Sequence, residues 1–179
     1  VRTLVMVTPD AFFAQLQRLG MPLRESGGYY GYSLALGSAE VQLLQLSNAY
    51  RALANSGQWR PVSWALKNAA PPPAAASASK AGGSKNKAAK APLGDDSNSA
   101  ASVAPVQPVQ ALDAGAVYIV GNILSDNIAR SSTFGLDSVL STRFWTAVKT
   151  GTSKDMRDNW AVGWSQRYTV GVWVGNASG

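Results

Sequence analysis

The chain contains no histidine and no cysteine. The first absence excludes Ser-His-Asp and Cys-His catalysis, and the two together remove the usual zinc ligands. Any nucleophile here must take its base from a lysine, a carboxylate, or sequence outside these residues. No cofactor and no metal site is expected. The sequence also lacks an apolar run long enough to span a bilayer and a recognisable secretory leader, so no membrane contact is expected from these residues. The absence of cysteine leaves the redox compartment open.

Acidic residues are few, ten against sixteen Lys and Arg, which gives a formal net charge of +6. Part of that excess is local. Lys67, Lys80, Lys85, Lys87 and Lys90 face only Asp95 and Asp96, and no aromatic residue is interleaved with them. Without aromatics this is a solvated tract rather than a nucleic-acid patch, and no nucleic-acid partner is expected.

What is present has the organisation of one domain with an interruption. Thr8-Pro9-Asp10 starts a helix, with a hydroxyl cap, Pro at the first helical position and an acid in the first turn. Phe12, Phe13, Leu16 and Leu19 recur at helical spacing before Gly20. Residues 29–36, rich in Gly and Tyr, read as a loop leading into a short strand. Ser38 is placed to cap a helix over 39–55 with a stripe of Val41, Leu44, Ala49, Tyr50 and Leu53, stopped by Gly57. Residues 59–66 read as extended, bent at Pro61. From 68 to 110 Ala, Pro, Ser, Lys and Gly dominate, a composition that buries too little apolar surface to offset the entropy of ordering. Asp113 then starts a helix whose face (Ala116, Val117, Val120, Ile123, Leu124) needs the earlier helices to pack on, ending near Asn127. A polar loop over 129–142 follows. The division expected is 1–67 and 111–179 as one domain, with 68–110 as a disordered insertion inside it.

The last third carries three β-rich runs around Val148, Val162 and Val172, separated by polar turn residues, which predict an antiparallel meander. The fold class expected is α+β, with helices packed on an antiparallel sheet that is incomplete within these residues. The first run holds Lys149-Thr150-Gly151-Thr152. A strand-borne ammonium offers a fixed charge to a carboxylate, flanking hydroxyls can donate to the same group, and Gly151 clears room for a ligand backbone to lie alongside. Strand alternation puts Lys149 and Thr150 on opposite faces, so a site using both must straddle the edge.

Around that tetrapeptide, Val148-Lys149-Thr150-Gly151-Thr152, then Asp158-Asn159-Trp160-Ala161-Val162-Gly163, then Val170-Gly171-Val172-Trp173-Val174-Gly175, resemble the end of the transpeptidase domain of class A penicillin-binding proteins. Upstream, Leu34-Ala35-Leu36-Gly37-Ser38-Ala39-Glu40-Val41, Leu46-Ser47-Asn48-Ala49-Tyr50 and Leu53-Ala54-Asn55-Ser56-Gly57 resemble the same family's helical segment, nearest its bifunctional 1C type. Two blocks in the right order, over roughly 1–66 and 111–179, carry the resemblance. It implies a serine D,D-transpeptidase that acylates itself on D-Ala-D-Ala stem peptides of peptidoglycan and is trapped by β-lactams. In that scheme Lys149 lends charge to the catalytic cluster, and Thr150 and Thr152 hold the terminal carboxylate. Gly151 admits the ligand, and the Thr152 N–H forms one arm of an oxyanion hole. It also implies a periplasmic site, with a membrane anchor and a glycosyltransferase domain on a missing N-terminal side. The partners implied are peptidoglycan stem peptides, β-lactams and that missing half.

The family's other two motifs are a Ser-x-x-Lys and a Ser-x-Asn. Ser77-Ala78-Ser79-Lys80, Ser84-Lys85-Asn86-Lys87 and Ser125-Asp126-Asn127 match them by pattern. The first two sit in the Ala/Pro/Ser/Lys tract, where nothing holds a base in reach of a serine, and the third falls at a helix end too near Lys149. All three are read as chance matches. Because Val1-Arg2 resembles sequence just past the family's second motif, the nucleophile is expected before residue 1, leaving this chain alone inactive. A D,D-carboxypeptidase or β-lactamase relative and a non-catalytic cell-wall-binding scaffold are the alternatives.

Overall fold

Helix α1 (Arg2–Val7) leads into α2 (Pro9–Arg18). The start of α2 is fixed locally, since the Thr8 side chain accepts from the Ala11 N–H at 3.3 Å and Pro9 occupies the first helical position. A computed structural model supplies the structure, and it describes residues 1–63 and 107–176. The chain then forms a short helix α3 (Gly27–Tyr30) and a 3-10 turn over Gly31–Leu36. No short strand forms here. Ser33 Oγ donates to the Tyr30 carbonyl oxygen, Gly37 closes the turn at a φ of 87°, and these local bonds coil the segment instead of extending it.

Helix α4 (Leu43–Ala54) begins later than its sequence pattern indicates. The hydroxyl of Ser38 pairs with that of Ser33 at 3.0 Å and so does not cap a helix, and Gln42 occupies the cap position with no side-chain bond. Ala49 and Ala52 are the residues α4 buries fully, while Leu44 is half exposed. Small residues let α4 approach closely. Leu19, Met21, Ala49, Ala52 and Ala111 form the buried cluster, with Leu16, Leu46, Trp59 and Leu112 packed around it.

Strand β1 (Gln58–Trp59) pairs antiparallel with β2 (Val109–Gln110), opposing Gln58 to Gln110 and Trp59 to Val109. Val109 and Gln110, the last residues of the 68–110 stretch, thus belong to a sheet. Residues 68–106, including Ser77 and Ser84, lie outside the described residues, as do 64–66. Gly57 ties the pair together. Its carbonyl accepts from the Ala111 and Leu112 N–H groups at 2.9 and 3.2 Å, and its φ is 87°. A Cβ at this position would stand 2.2 Å from the Leu112 carbonyl oxygen, a backbone atom that cannot step aside. Gly57→Ala therefore combines a left-handed strain with a steric clash, and should cost about 2–4 kcal/mol in a urea melt.

Asp113 caps α5 (Ala114–Ser125), accepting from the Ala116 N–H at 2.8 Å. The buried line on α5 is Val117 and Gly121, with Leu124 half-buried; Ala116, Val120 and Ile123 face outward. Apolar positions lie around much of α5, so composition alone did not single out the packed stripe. Its end differs too. Asp126 Oδ1 accepts from both Ile128 and Ala129 N–H groups at 2.9 Å, starting a separate helix α6 (Asn127–Phe134) where the pattern suggests a polar loop.

The meander forms as its alternation predicts. Strands β3 (Ala147–Thr152), β4 (Asp158–Trp164) and β5 (Thr169–Gly175) lie antiparallel in that order. The register opposes Ala147 to Trp164, Lys149 to Val162 and Gly151 to Trp160, with Trp160 opposite Trp173 on the next strand. Those residues share one face, on which α4 and α5 pack. There Trp164, 5% exposed, meets Tyr50 and Trp145 edge-on at ring separations of 5.9 and 6.4 Å. Burial raises the Tyr50 phenol pKa above its ordinary value. The second face carries Val148, Val170, Val172 and Val174 and is largely open, the three β5 valines all being exposed. The described residues thus give an α+β fold whose antiparallel sheet is covered by helices on one side.

Candidate active site

Lys149 sits in the middle of β3, at one border of the three-stranded sheet. Its neighbours in sequence point elsewhere. Register places Lys149 and Gly151 on the helix-covered face, opposite Val162 and Trp160, and Thr150 and Thr152 on the other, opposite Ala161 and Asn159. The structure therefore does not bring the Lys149 and Thr150 side chains together on one face. The Lys149 side chain is exposed, and its ammonium donates to the Thr150 carbonyl oxygen next in the chain. No carboxylate among the described residues lies within ion-pair distance of it. The lysine is carried on a strand and, among the described residues, is uncommitted to any counter-ion, which is the condition for recognising an anionic group.

Gly151 is informative because the fold does not require it. A Cβ there would meet the Trp160 Cβ at 3.7 Å, an ordinary van der Waals separation. Packing would accept alanine, and the missing side chain leaves the strand's surface open beside Lys149.

The end of β3 is set by a tight hairpin. Ser153 N–H donates to the Asp158 carbonyl oxygen at 2.9 Å, and Asp158 N–H donates back to Ser153 Oγ at 2.8 Å. Asp155 and Met156 between them have φ of 59° and 56°, left-handed values for side chains that rarely adopt them. Asp158 Oδ1 accepts from Trp173 Nε1 at 2.9 Å, and the Asn159 side chain donates to the Met156 carbonyl at 2.9 Å. These bonds hold Thr152 and Ser153 in place at the mouth of a cavity.

That cavity, of about 460 Å³, is lined on one side by Gly151, Thr152, Ser153, Asp158 and Trp160. The opposite side comes from Ser38, Ala39, Glu40 and Val41, with Leu16, Met21, Leu23 and Leu34 as its apolar part. The volume is in the range of small-molecule sites. Lys149 and Thr150 do not line it. Two stretches more than a hundred residues apart in sequence thus meet at the C-terminal end of β3. Sequence reading singled out both, but gave the upstream one the wrong role, that of a helix cap. Glu40, which is exposed and was not among the expected site residues, also lines the cavity. Only the Gly37-Ser38-Ala39-Glu40 block pointed to it.

Ser125-Asp126-Asn127 has a structural occupation. Ser125 Oγ donates to the Asn122 carbonyl oxygen at 3.0 Å, Asp126 caps α6, and the Asn127 side-chain oxygen accepts from Arg130. The three residues build the α5–α6 junction.

Comparison with known proteins supports the family-level resemblance. The whole chain is 29% identical over 180 residues to penicillin-binding protein 1C of Escherichia coli K12, of which the match covers 18%. It is 30% identical over 169 residues to penicillin-binding protein 1A of Pseudomonas aeruginosa, covering 80% of this chain and 20% of that protein. The chain thus spans about a fifth of the length of these curated relatives. No family model matches it. The chain is similar, at low identity, to penicillin-binding proteins.

Proposed function

We propose that this chain supplies one wall of the active site of a peptidoglycan D,D-transpeptidase that works through an acyl-serine and is trapped by β-lactams. The observation that carries the reading is β3 itself: Lys149 with no ion-pair partner among the described residues, next to a glycine that packing does not demand. The similarity to two penicillin-binding proteins along the chain supports the same reading. In it, Lys149 places its ammonium beside the nucleophilic cluster, Thr150 and Thr152 bind the substrate's terminal carboxylate from the strand edge, and Gly151 admits the ligand. The Thr152 N–H donates to the oxyanion as the serine attacks.

The serine and its base come from outside residues 1–179, so the chain alone is inactive and its stem-peptide and β-lactam ligands bind only in the longer polypeptide. That polypeptide works on the outer side of the cytoplasmic membrane, anchored elsewhere, together with a glycosyltransferase domain. No helix among the described residues is long and apolar enough to cross a membrane. The antiparallel pairing of β1 with β2 supports reading the tract between them as an insertion within one domain, ending before Val109.

The test is fluorescent penicillin labelling of this chain and of the longer polypeptide, with the labelled peptide identified by mass spectrometry. Labelling of the longer form on a serine upstream of Val1, with this chain dark, is the expected result. Labelling on Ser77 or Ser84 would overturn the assignment of the nucleophile, and no labelling of either form would favour a non-catalytic cell-wall-binding role. Released D-Ala measured against cross-linked dimer separates the transpeptidase from a carboxypeptidase or β-lactamase relative. A finer check uses Gly151→Ala. Alanine suits a strand interior better, so thermal stability should hold or rise by up to about 1 kcal/mol. Acylation should fall about 10–100-fold, the effect of about 1–3 kcal/mol of crowding where the ligand lies.

A further inference from the structure

A second cavity, of about 380 Å³, opens between the C-terminal end of α4, one side of α5 and the β4–β5 turn. It lies past the opposite end of β3 from Thr152. Trp145 precedes the strand, four residues and so about 13 Å along the chain from Lys149. We propose that this cavity binds a neutral sugar ring, stacked on Trp145, as a site separate from the Lys149 cluster.

The floor is a rigid aromatic surface. Trp145 is 47% exposed, but its ring is backed edge-on by Trp164, which is itself braced by Tyr50, with interplanar angles of 67° in both pairs. An exposed indole fixed in this way costs little entropy when something stacks on it. Around it stand polar groups with spare capacity. The Asn122 and Gln166 side-chain amides and the Tyr118 hydroxyl make no hydrogen bond to any described residue, and all three line the opening. Ser165 Oγ accepts from the Arg167 and Tyr168 N–H groups, which leaves its own proton free to donate. Amides both donate and accept, so Asn122 and Gln166 suit a ring that carries hydroxyls on several sides.

Charge narrows the ligand. The chain carries sixteen basic and ten acidic residues, yet none of the described residues lining this cavity is charged. An anion or an ammonium would enter without a counter-charge, which is unfavourable. Flat indole, unpaired amides and no charge together select a neutral molecule with an apolar C–H face and a polar rim, which describes a pyranose. Its volume also falls in the small-ligand range. The choice of an N-acetylated sugar over other pyranoses rests on the cell-wall reading; the site itself does not.

Saturation-transfer NMR with this chain and a β-1,4-linked N-acetylglucosamine tetrasaccharide tests the proposal, with cellotetraose in parallel. Transfer to the ring protons is expected. It should be lost in Trp145→Ala and weakened at least fivefold in Asn122→Ala, a substitution on an exposed helix position that leaves the fold intact. Lys149→Ala should bind the sugar unchanged, and Asn122→Ala should leave penicillin labelling of the longer polypeptide unchanged, so failure here is distinguishable from failure of the transpeptidase reading. Transfer to both tetrasaccharides alike supports the sugar site but places its recognition in ring stacking rather than the acetamido group. No transfer to either sugar, or transfer that survives both Trp145→Ala and Asn122→Ala, overturns the proposal.

Discussion

Lys149→Ala in the longer polypeptide is expected to lower penicillin acylation about 10²–10⁴-fold, the range over which a positioned proton-transfer or charge-stabilising group acts. The loss should come with little change in folding. Lys149 is exposed, and among the described residues its ammonium bonds the carbonyl of the next residue and no other group, so truncation removes no core contact. Its face-mate Gly151 and the opposing Val162 stay in register because backbone pairing with β4, not the side chain, sets the strand. The measurement is the rate of fluorescent penicillin acylation, with circular dichroism as the control on fold. Arginine at this position should rescue charge but not reach, since a planar guanidinium cannot replace a compact ammonium. Normal acylation by the alanine variant would remove Lys149 from the mechanism.

Trp164→Ala should be the most damaging single change to the fold, at about 3–5 kcal/mol in urea unfolding. Trp164 closes the sheet onto two helices. It lies opposite Ala147, which is fully buried, contacts Tyr50 of α4 edge-on, and sits beside Gly121 of α5, where a Cβ would come within 3.6 Å of the indole. Removing the ring opens a space that neither helix can fill without moving. A loss of that size takes up much of the stability of a typical domain. Trp164→Phe should retain most of it, and unfolding midpoints for the two variants that coincide would refute the packing argument.

Both variants depend on how β3 is held, and here local and long-range information separate. The meander was legible in the sequence. Its three runs alternate, are joined by short polar turns, and pair with their immediate neighbours, so near contacts decide them. The caps at Thr8 and Asp113 were legible for the same reason: each is one side chain bonding an N–H three residues on. The alternation also put Lys149 and Thr150 on opposite faces, and the register agrees.

Elsewhere a local signal met a competing bond or a distant partner. Ser38 has the right residue type for a cap, but Ser33 takes its hydroxyl and the helix waits until Leu43. Asp126 reads as a helix end and becomes the cap of the next helix. On α5 the sequence offers apolar positions on several sides, and which of them are buried was settled by where Trp164 stands. The sequence by itself determined the meander, the lysine on its first strand, the starts of α2 and α5 and the absence of histidine and cysteine from these residues. Only the tertiary structure decided that residues 38–41 meet the end of β3 and that an uncharged cavity forms around Trp145. Those depend on packing between segments far apart in the chain, which no local pattern of side chains encodes.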